Sequence, residues 1–453
     1  MVQPTQSQEF QLISEDGTTL LGLDGLAVKR VDVDEHGARI VHVVTADEAA
    51  AACPTCGVIS TARKSSATTH PRDVAYGPDP IRLVWHKSRW RCRESRCPRG
   101  SFTESLPQVP PRCRLTTRLY EQVGACVADG YSCVLAAARG NGVSWPIAHA
   151  AFIAHVTPDL EEELPPVSVL GIDETRRGKP IWGQDPVTGR WRVTHDRWHT
   201  AIVDAAGTAG LLAHIDGRTA IAVADWLKTQ PDPWKAGVTH VTIDLSASYA
   251  KAVRDALPDA ILVADKFHLV ALGNQMLTEV RQHATRQARG RRGRKKDPEW
   301  AARRRLLLGH ERHTDASFAK MWNALIDAGD PGLEVLHAYT VKEDLRRLLA
   351  LPTTADREAI SHRLYRLYVQ AAASDIPEVH RLAETIEAWW PAVLAAITTG
   401  FSNARSEGYN RLAKHVGRDA FGFRNPTNQR RRIRWACTRQ HRRLSAKITV
   451  LPG

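Results

Sequence analysis

VSVLGIDET, residues 167–175, decides the fold. The run is short and apolar, through Val167, Val169, Leu170 and Ile172, and it ends in a carboxylate at Asp173. Pro165 and Pro166 precede it, and the polar Thr175-Arg176-Arg177-Gly178 follows. An apolar run of this length between breakers predicts a buried strand. Such a strand delivers Asp173 to its carboxyl end, where open α/β sheets build their sites. Side chains alternate along a strand, so Glu174 is expected on the opposite face of the sheet.

Outward from this strand the order of elements is informative. A long polar excursion, residues 176–195, carries turn signals at Asp185-Pro186 and Thr188-Gly189. WHTAIVDAAG and GLLAHID then read as two consecutive strands, and TAIAVADWLKTQ as a helix. VTHVTID reads as a strand ending in Asp244, SASYAKAVRDAL as a helix and AILVADKF as a strand. Three strands, helix, strand, helix, strand is the order of a ribonuclease-H-like fold. Its first and fourth strands are neighbours, which would bring Asp173 and Asp244 together. Asp265 ends the fifth strand, one place further out, and is set aside on that ground. Asp204 and Asp225 are set aside as a strand end near a turn and a solvent-side helix position. A third acid, Glu407, lies in SNARSEGYNRLAKHV, which reads as a helix with Glu407, Arg411 and Lys414 on one face. Three converging carboxylates suit hard divalent cations. Two such ions about 4 Å apart would serve in-line displacement at a phosphodiester.

The chain has 453 residues, 62 Lys and Arg against 49 Asp and Glu, and a formal charge of +13. Clustered positive charge favours an anionic partner, nucleic acid first. The N-terminus MVQPTQSQEF lacks a signal-peptide core, and no run approaches the ~18 apolar residues of a membrane span. A cytoplasmic protein is expected, with no membrane partner.

Eight cysteines are present. Cys53 and Cys56 in CPTCG, and Cys92 and Cys97 in CRESRC, form two close pairs around a hairpin-length segment. In a reducing compartment this pattern predicts one structural Zn²⁺ held by four thiolates. The second spacing is looser than CxxC, leaving His70 or His86 as a substitute ligand. Cys113, Cys126, Cys133 and Cys437 are read as buried small hydrophobes. Upstream, Leu26–Val33 and Ala38–Val44 read as a hairpin.

Residues 113–156 read as short helices broken at Gly130 and at Gly140-Asn141-Gly142. With Ser144 as N-cap and Trp145 and His149 following, they predict a helix-turn-helix whose recognition helix spans roughly 144–156. An acidic linker, Pro158 to Pro166, is expected next. After Phe267 the pattern is helical for more than a hundred residues. It contains RQARGRRGRKKDPEWAARRR, read as an arm that orders on phosphates through Arg291, Arg292, Arg294, Lys295 and Lys296. Arg411 and Lys414 join them as candidate DNA contacts. A strongly basic final helix is expected near 426–444.

CPTCG with RWRC, GIDE, VTIDLSASYAKAV, VADKFHLV, SNARSEGYNRLAK and GFRN together resemble the transposases of the ISL-three group of bacterial insertion sequences. The resemblance spans nearly the whole chain. It implies a multidomain α+β protein: a zinc-binding N-terminal β domain (1–110), a helix-turn-helix (111–158), and a ribonuclease-H-like catalytic core of the DDE type. That core is split into 159–266 and 386–453 by an all-helical insertion at 267–385. Asp173, Asp244 and Glu407 carry over as the catalytic and metal-binding triad, with two Mg²⁺ or Mn²⁺ ions. The implied activity is binding of terminal inverted repeats, metal-dependent end cleavage and strand transfer into target DNA, by a homodimer or larger assembly. A transposase-derived nuclease and a DNA-binding regulator without transposition activity are the alternatives. The excursion at 176–195 departs from relatives that turn back sooner.

Overall fold

The computed structural model describes residues 14–76, 81–130, 133–176, 178–195 and 197–438. The chain divides into two compact units, Met1–Glu162 with Asp419–Gly422, and Glu163–Arg418 with Phe423–Gly453.

The first unit opens with α1 (Glu15–Leu21) and the strands β1 (Leu26–Val33), β2 (Arg39–Thr45), β3 (Arg63–Thr69), β4 (Arg82–Arg91) and β5 (Ser101–Thr103). They form one sheet in the order β1–β2–β4–β3, with β5 also on β4. The expected β1–β2 hairpin is antiparallel. β3 was not legible, because RKSSATT has a polar face throughout. Leu83, Trp85, Val43 and Val28 supply the core under this sheet. Three helices follow, α2 (Thr117–Asp129), α3 (Val134–Gly140) and α4 (Trp145–Glu161). Buried Asp73 ties them to the sheet, accepting from the Thr116 hydroxyl at 2.7 Å and from Arg118 Nε at 2.8 Å. The expected linker begins later than Pro158, because α4 continues through that proline to Glu161. Buried Val156 holds the turn in place, and the Thr157 hydroxyl donates to the Ile153 carbonyl at 2.7 Å.

The second unit is built on β6 (Val169–Arg176), β7 (Ile181–Gln184), β8 (Trp191–His195), β9 (Trp198–Asp204), β10 (Leu211–Asp216), α5 (Ala220–Lys228), α6 (Asp232–Gly237), β11 (His240–Ile243), α7 (Ala247–Ala256) and β12 (Ile261–Ala264). Its main sheet has the order β10–β9–β6–β11–β12. β9 is antiparallel to β6 and to β10, whereas β11 is parallel to both β6 and β12. The polar excursion is not a plain loop: β7 and β8 pair as a separate antiparallel hairpin.

One sheet face packs Leu170, Ile172, Ile202, Val241 and Ile243 against α5 and α7. The opposite face carries Ala201, Val203 and Leu211 beneath α15 (Ala404–Asp419) and α16 (Pro426–Cys437). Before these come α8 (Lys266–Arg289), α9 (Pro298–Ala302), α10 (Asp315–Ile326), α11 (Asp330–Leu349), α12 (Arg357–Ala372), α13 (Pro377–Ala388) and α14 (Trp390–Thr399), which share one large apolar core. The final basic helix ends at Cys437, and residues 439–444 of the expected span lie outside the described residues. No helix among the described residues is long and apolar enough to cross a membrane. Of the four scattered cysteines only Cys437 is buried; Cys133 instead caps α3, accepting from Ala136 N–H at 3.4 Å.

The segment 286–305 is ordered, for an electrostatic reason. Arg291 grips Asp297 in a two-bond fork at 2.7 and 3.0 Å, and Arg289 reaches the fully buried Glu299 at 2.8 Å. Arg291 is therefore occupied, whereas Arg292, Arg294, Lys295 and Lys296 are exposed.

Buried His214 gives this unit a pH response. Its ring stacks on His199 at 4.7 Å, and burial, His199 and Arg430 push its pKa down to about 3 against a weaker pull from Asp216. The folded form keeps His214 neutral, while the unfolded chain takes up a proton below about pH 6.5. Stability is fully present above that pH and falls as pH drops toward the folded value, by about 1.4 kcal/mol per unit. Urea unfolding followed at pH 7.5, 5.5 and 4.5 should show this decline, and His214→Phe should flatten it. An unchanged slope in the variant would show that another group titrates.

Candidate active site and zinc site

Asp173 does not end its strand, because β6 stays paired with β9 as far as Arg176; instead Asp173 and Asp244 each directly follow the last pair of the parallel β6–β11 ladder, Ile172 with Ile243, on the face covered by α15. Asp173 is buried, and its Oδ2 accepts from Asn410 Nδ2 at 2.7 Å. Asn403, fully buried at the start of the same helix segment, is the hub. Its Nδ2 donates to the Ile172 carbonyl at 3.2 Å and to Asp244 Oδ1 at 3.4 Å. Its backbone N–H donates to Asp265 Oδ1 at 3.1 Å, and its Oδ1 accepts from the Thr242 hydroxyl at 3.3 Å. One residue thus ties β6, β11 and the end of β12 together. The helix comes this close because position 171 is glycine: a Cβ there would lie 2.4 Å from Ser406 Oγ and 2.9 Å from Val203 Cγ2.

At 3.6 residues per turn, Asn403, Glu407, Asn410 and Lys414 share an arc of about 60°. Glu407 therefore lies on the helix edge beside the two asparagines that hold Asp173 and Asp244. Arg411 and Lys414 continue outward and are exposed. Glu174 points to the opposite sheet face, as alternation requires, where its Oε2 accepts from the Tyr249 hydroxyl at 3.0 Å. Asp204 is engaged by its own turn, accepting from the N–H groups of Gly207 at 2.7 Å and Ala209 at 3.0 Å. Asp225 is exposed on α5.

Asp265 does not stay apart as its strand position suggested. Although β12 lies one place beyond β11, His268 Nδ1 sits 2.8 Å from Asp244 Oδ1 and 3.1 Å from Asp265 Oδ2. Ligand atoms of Asp244, Asp265 and His268 all lie within 4.8 Å of one another. The reason is local: Asp265 N-caps α8, and the first turn of that helix swings His268 back over the strand ends. His268, Asn403 and Asn410 were missed from the sequence; VADKFHLV held the first of them, one helical turn after Asp265.

Hydrogen bonds to Asp244 and Asp265 raise the His268 pKa to about 10. Burial and then the Asp244 carboxylate push Asp173 up to about 6. Burial would also raise Asp265, but His268 and the Asn403 N–H outweigh it and hold the carboxyl below its usual range. Crowded, mutually repelling carboxylates with hard oxygen donors fit divalent cations.

In the first unit Cys53, Cys56, Cys92 and Cys97 converge, with Sγ–Sγ distances of 3.9 Å for Cys53–Cys97 and 3.6 Å for Cys56–Cys92. A tetrahedron with ~2.3 Å Zn–S arms has edges of ~3.8 Å, so the four sulfurs fit zinc without a histidine. His86 instead faces His42 at 3.0 Å. On α4, Ser144 holds the N-cap position without a side-chain capping bond, and Trp145 stacks on His149 at 4.8 Å.

Residues 183–433 match the ISL3-type DDE family model described as "Transposase". The chain belongs to that family of transposases. Residues 49–97 match the zinc-finger of transposase IS204/IS1001/IS1096/IS1165, which covers the four converging cysteines. The transposase for insertion sequence element IS1001 of Bordetella parapertussis is 25% identical over 417 residues, covering 90% of this chain and 94% of that one. The transposase for insertion sequence element IS1557 of Mycobacterium tuberculosis is 31% identical over 211 residues, 42% of this chain and 46% of that one. Among solved structures, the Drosophila P element transposase strand transfer complex overlaps with a TM-score of 0.37 and 10% identity, over 71% of this chain and 91% of that chain. The transposase thus carries a four-cysteine zinc ribbon and a mixed α/β unit with a large helical part.

Proposed function

We propose that the transposase binds the terminal inverted repeats of its own insertion sequence, cuts at the element ends and joins the freed 3′-hydroxyl to target DNA. The observation that carries this reading is the meeting of Asp173 and Asp244 beneath the helix that bears Glu407, tied together by Asn403 and Asn410. The sheet order, with its antiparallel first three strands and parallel last two, supports a ribonuclease-H-like core. Asp173, Asp244 and Glu407 are the proposed ligands of two Mg²⁺ or Mn²⁺ ions. When bound, such ions supply activation of the attacking oxygen and charge neutralisation at the leaving one.

The protein's own groups hold this centre open for cations. Asn410 fixes the rotamer of Asp173, and Asn403 locks Asp244 and Asp265 to α15. His268 lies between the Asp244 and Asp265 carboxylates and orients both. Arg411 and Lys414, exposed beyond Glu407 on the same helix, suit phosphates entering the site.

We assign end recognition to the first unit. α3 and α4, joined by the turn at 141–144, form the helix-turn-helix, and Ser144, Trp145 and His149 at the start of α4 face base edges. The zinc is structural. Synapsis of two ends requires at least a dimer on DNA, and the site of action is the bacterial cytoplasm.

Incubating purified protein with a labelled duplex carrying an element end tests the reading. Mg²⁺- or Mn²⁺-dependent cleavage at the end, then joining to a second DNA, is the expected result. Absence of cleavage despite tight, specific end binding would favour a regulator instead.

A further expectation concerns Arg292, Arg294, Lys295 and Lys296. Each phosphate contact contributes about −0.9 to the log–log slope of affinity against salt. Neutralising these four should flatten the slope by up to about 3.6 and leave sequence preference unchanged. Arg291→Ala should lower stability instead, since its partner Asp297 is buried. Lost preference in the fourfold variant would mean that this segment reads sequence.

A further inference from the structure

The β7–β8 hairpin presents two tryptophans to solvent. Pairing aligns Gln184 with Trp191, Gly183 with Arg192, and Trp182 with Val193. Paired residues share a face and successive residues alternate, so Trp182, Gln184, Trp191 and Val193 line one side. Trp182 is 56% exposed, Trp191 67% and Val193 41%. On the other side the Thr194 hydroxyl donates to the Ile181 carbonyl at 3.1 Å, and a Cβ at Gly183 would lie 2.6 Å from Thr194 Cγ2. The turn is pinned as well. Asp185 Oδ1 accepts from the N–H groups of Val187 at 3.0 Å and Thr188 at 2.9 Å, and Gln184 Nε2 donates to the Gly189 carbonyl at 2.9 Å. On the tryptophan face Gln184 turns its amide to the Gly189 carbonyl, and both indoles stay exposed.

Charge identifies the occupant. Residues 176–197 hold six Lys and Arg against two Asp. Lys179 and Arg190 are exposed beside the hairpin, and Arg192, on the side opposite the tryptophans, pairs with Asp185 at 3.2 Å. An apolar face beside basic side chains fits a polyanion that also offers flat apolar surfaces, which is DNA with unstacked bases. A second protein copy would have to bring matching acids, whereas this chain is strongly basic. Chain position adds to the argument. The hairpin extends from the end of the β6–β9 ladder, in which Asp173 pairs with Ala201 and Arg176 with Trp198. Three residues of strand span about 10 Å, close to three base steps of one DNA strand.

We propose that this hairpin is a base-stacking platform, on which Trp182 and Trp191 hold unpaired bases of the DNA strand next to the cleaved phosphodiester. The placement beside cleavage rests on Asp173 as a catalytic ligand; the affinity for unpaired bases does not. Stacking of this kind contributes about 5- to 150-fold in affinity per base.

The test uses full-length protein carrying Asp173→Asn, so that DNA remains intact. The probes are a single-stranded oligonucleotide containing 2-aminopurine, and a duplex end with 2-aminopurine in an unpaired flank. The parent should quench both probes. Trp182→Ala with Trp191→Ala should abolish the quenching and weaken single-strand binding at least tenfold, while binding of the fully paired repeat and the thermal midpoint stay unchanged. Trp182→Phe with Trp191→Phe should retain most of the response. In the cleavage-competent background, the alanine pair should slow cutting of paired ends and recover on a pre-unpaired flank. Unchanged quenching in the alanine pair would overturn the proposal. So would a shift of the DNA-free protein to a smaller species in sedimentation, which would mark the face as a contact between copies. If Asp173→Asn itself still cleaves, the active-site assignment fails while the quenching result stands.

Discussion

Asp173→Asn, Asp244→Asn and Glu407→Gln should each abolish end cleavage while leaving end binding within a few-fold of the parent. Each substitution removes charge with little change of shape, and removing one preorganised electrostatic partner costs about 10²–10³-fold in rate. Loss of a cation ligand should reach at least that. Asp173 is the most sensitive of the three to local environment, being buried and held by Asn410 at 2.7 Å. Both Asp173 oxygens accept, one from the Glu174 N–H and one from Asn410 Nδ2, so the amide at 173 faces a donor–donor clash in either orientation and a melting curve must accompany each assay. Asp265→Asn and His268→Ala should weaken cleavage by about 10–100-fold, the range for groups that orient metal ligands. An active Asp244→Asn would overturn the triad. An active Glu407→Gln, with Asp265→Asn as inactive as Asp244→Asn, would move the centre onto Asp244, Asp265 and His268.

Removal of zinc should be the largest single loss of stability. Zinc binding contributes about 10–16 kcal/mol in small four-ligand sites. Here the segments around Cys53 and Cys56 and around Cys92 and Cys97 bury few other side chains, among them Ala50, Ser60, Phe102 and Glu104. The sheet core of Val43, Leu83 and Trp85 contains none of the cysteines and meets their segment at Ala50. Chelation or Cys56→Ser should therefore unfold the ribbon locally and lower the thermal midpoint of the first unit by more than about 10 °C. Elemental analysis should find one zinc per chain. A zinc-free protein with an unchanged melting curve in chelator would refute the site.

Other features show where sequence reasoning reached its limit. Arg291 was grouped with its basic neighbours because charge runs look alike along a chain. Only the fold reveals that Asp297 is buried and claims it. The β7–β8 hairpin was passed over as polar because its apolar residues face water, and periodicity reports burial, which this face lacks.

What the sequence determined by itself is what local chemistry dictates. Apolar runs ending in acids located β6 and β11, because a buried strand needs continuous apolar surface, but they did not show that β6 runs past Asp173 to Arg176 on the β9 ladder. Paired cysteines defined the zinc ribbon, because four thiolates within two short turns have one common use. The family motifs supplied the proposal of Asp173, Asp244 and Glu407 as the triad. Tertiary structure alone decided the shell around it. Asn403 reaches three strands from a helix more than a hundred residues away in sequence, and it does so only because Gly171 lets that helix approach. His268 joins Asp244 to Asp265 because a helix cap turns it back over the sheet. Contacts of this kind depend on packing distances between elements far apart in the chain, and no spacing along the chain encodes them.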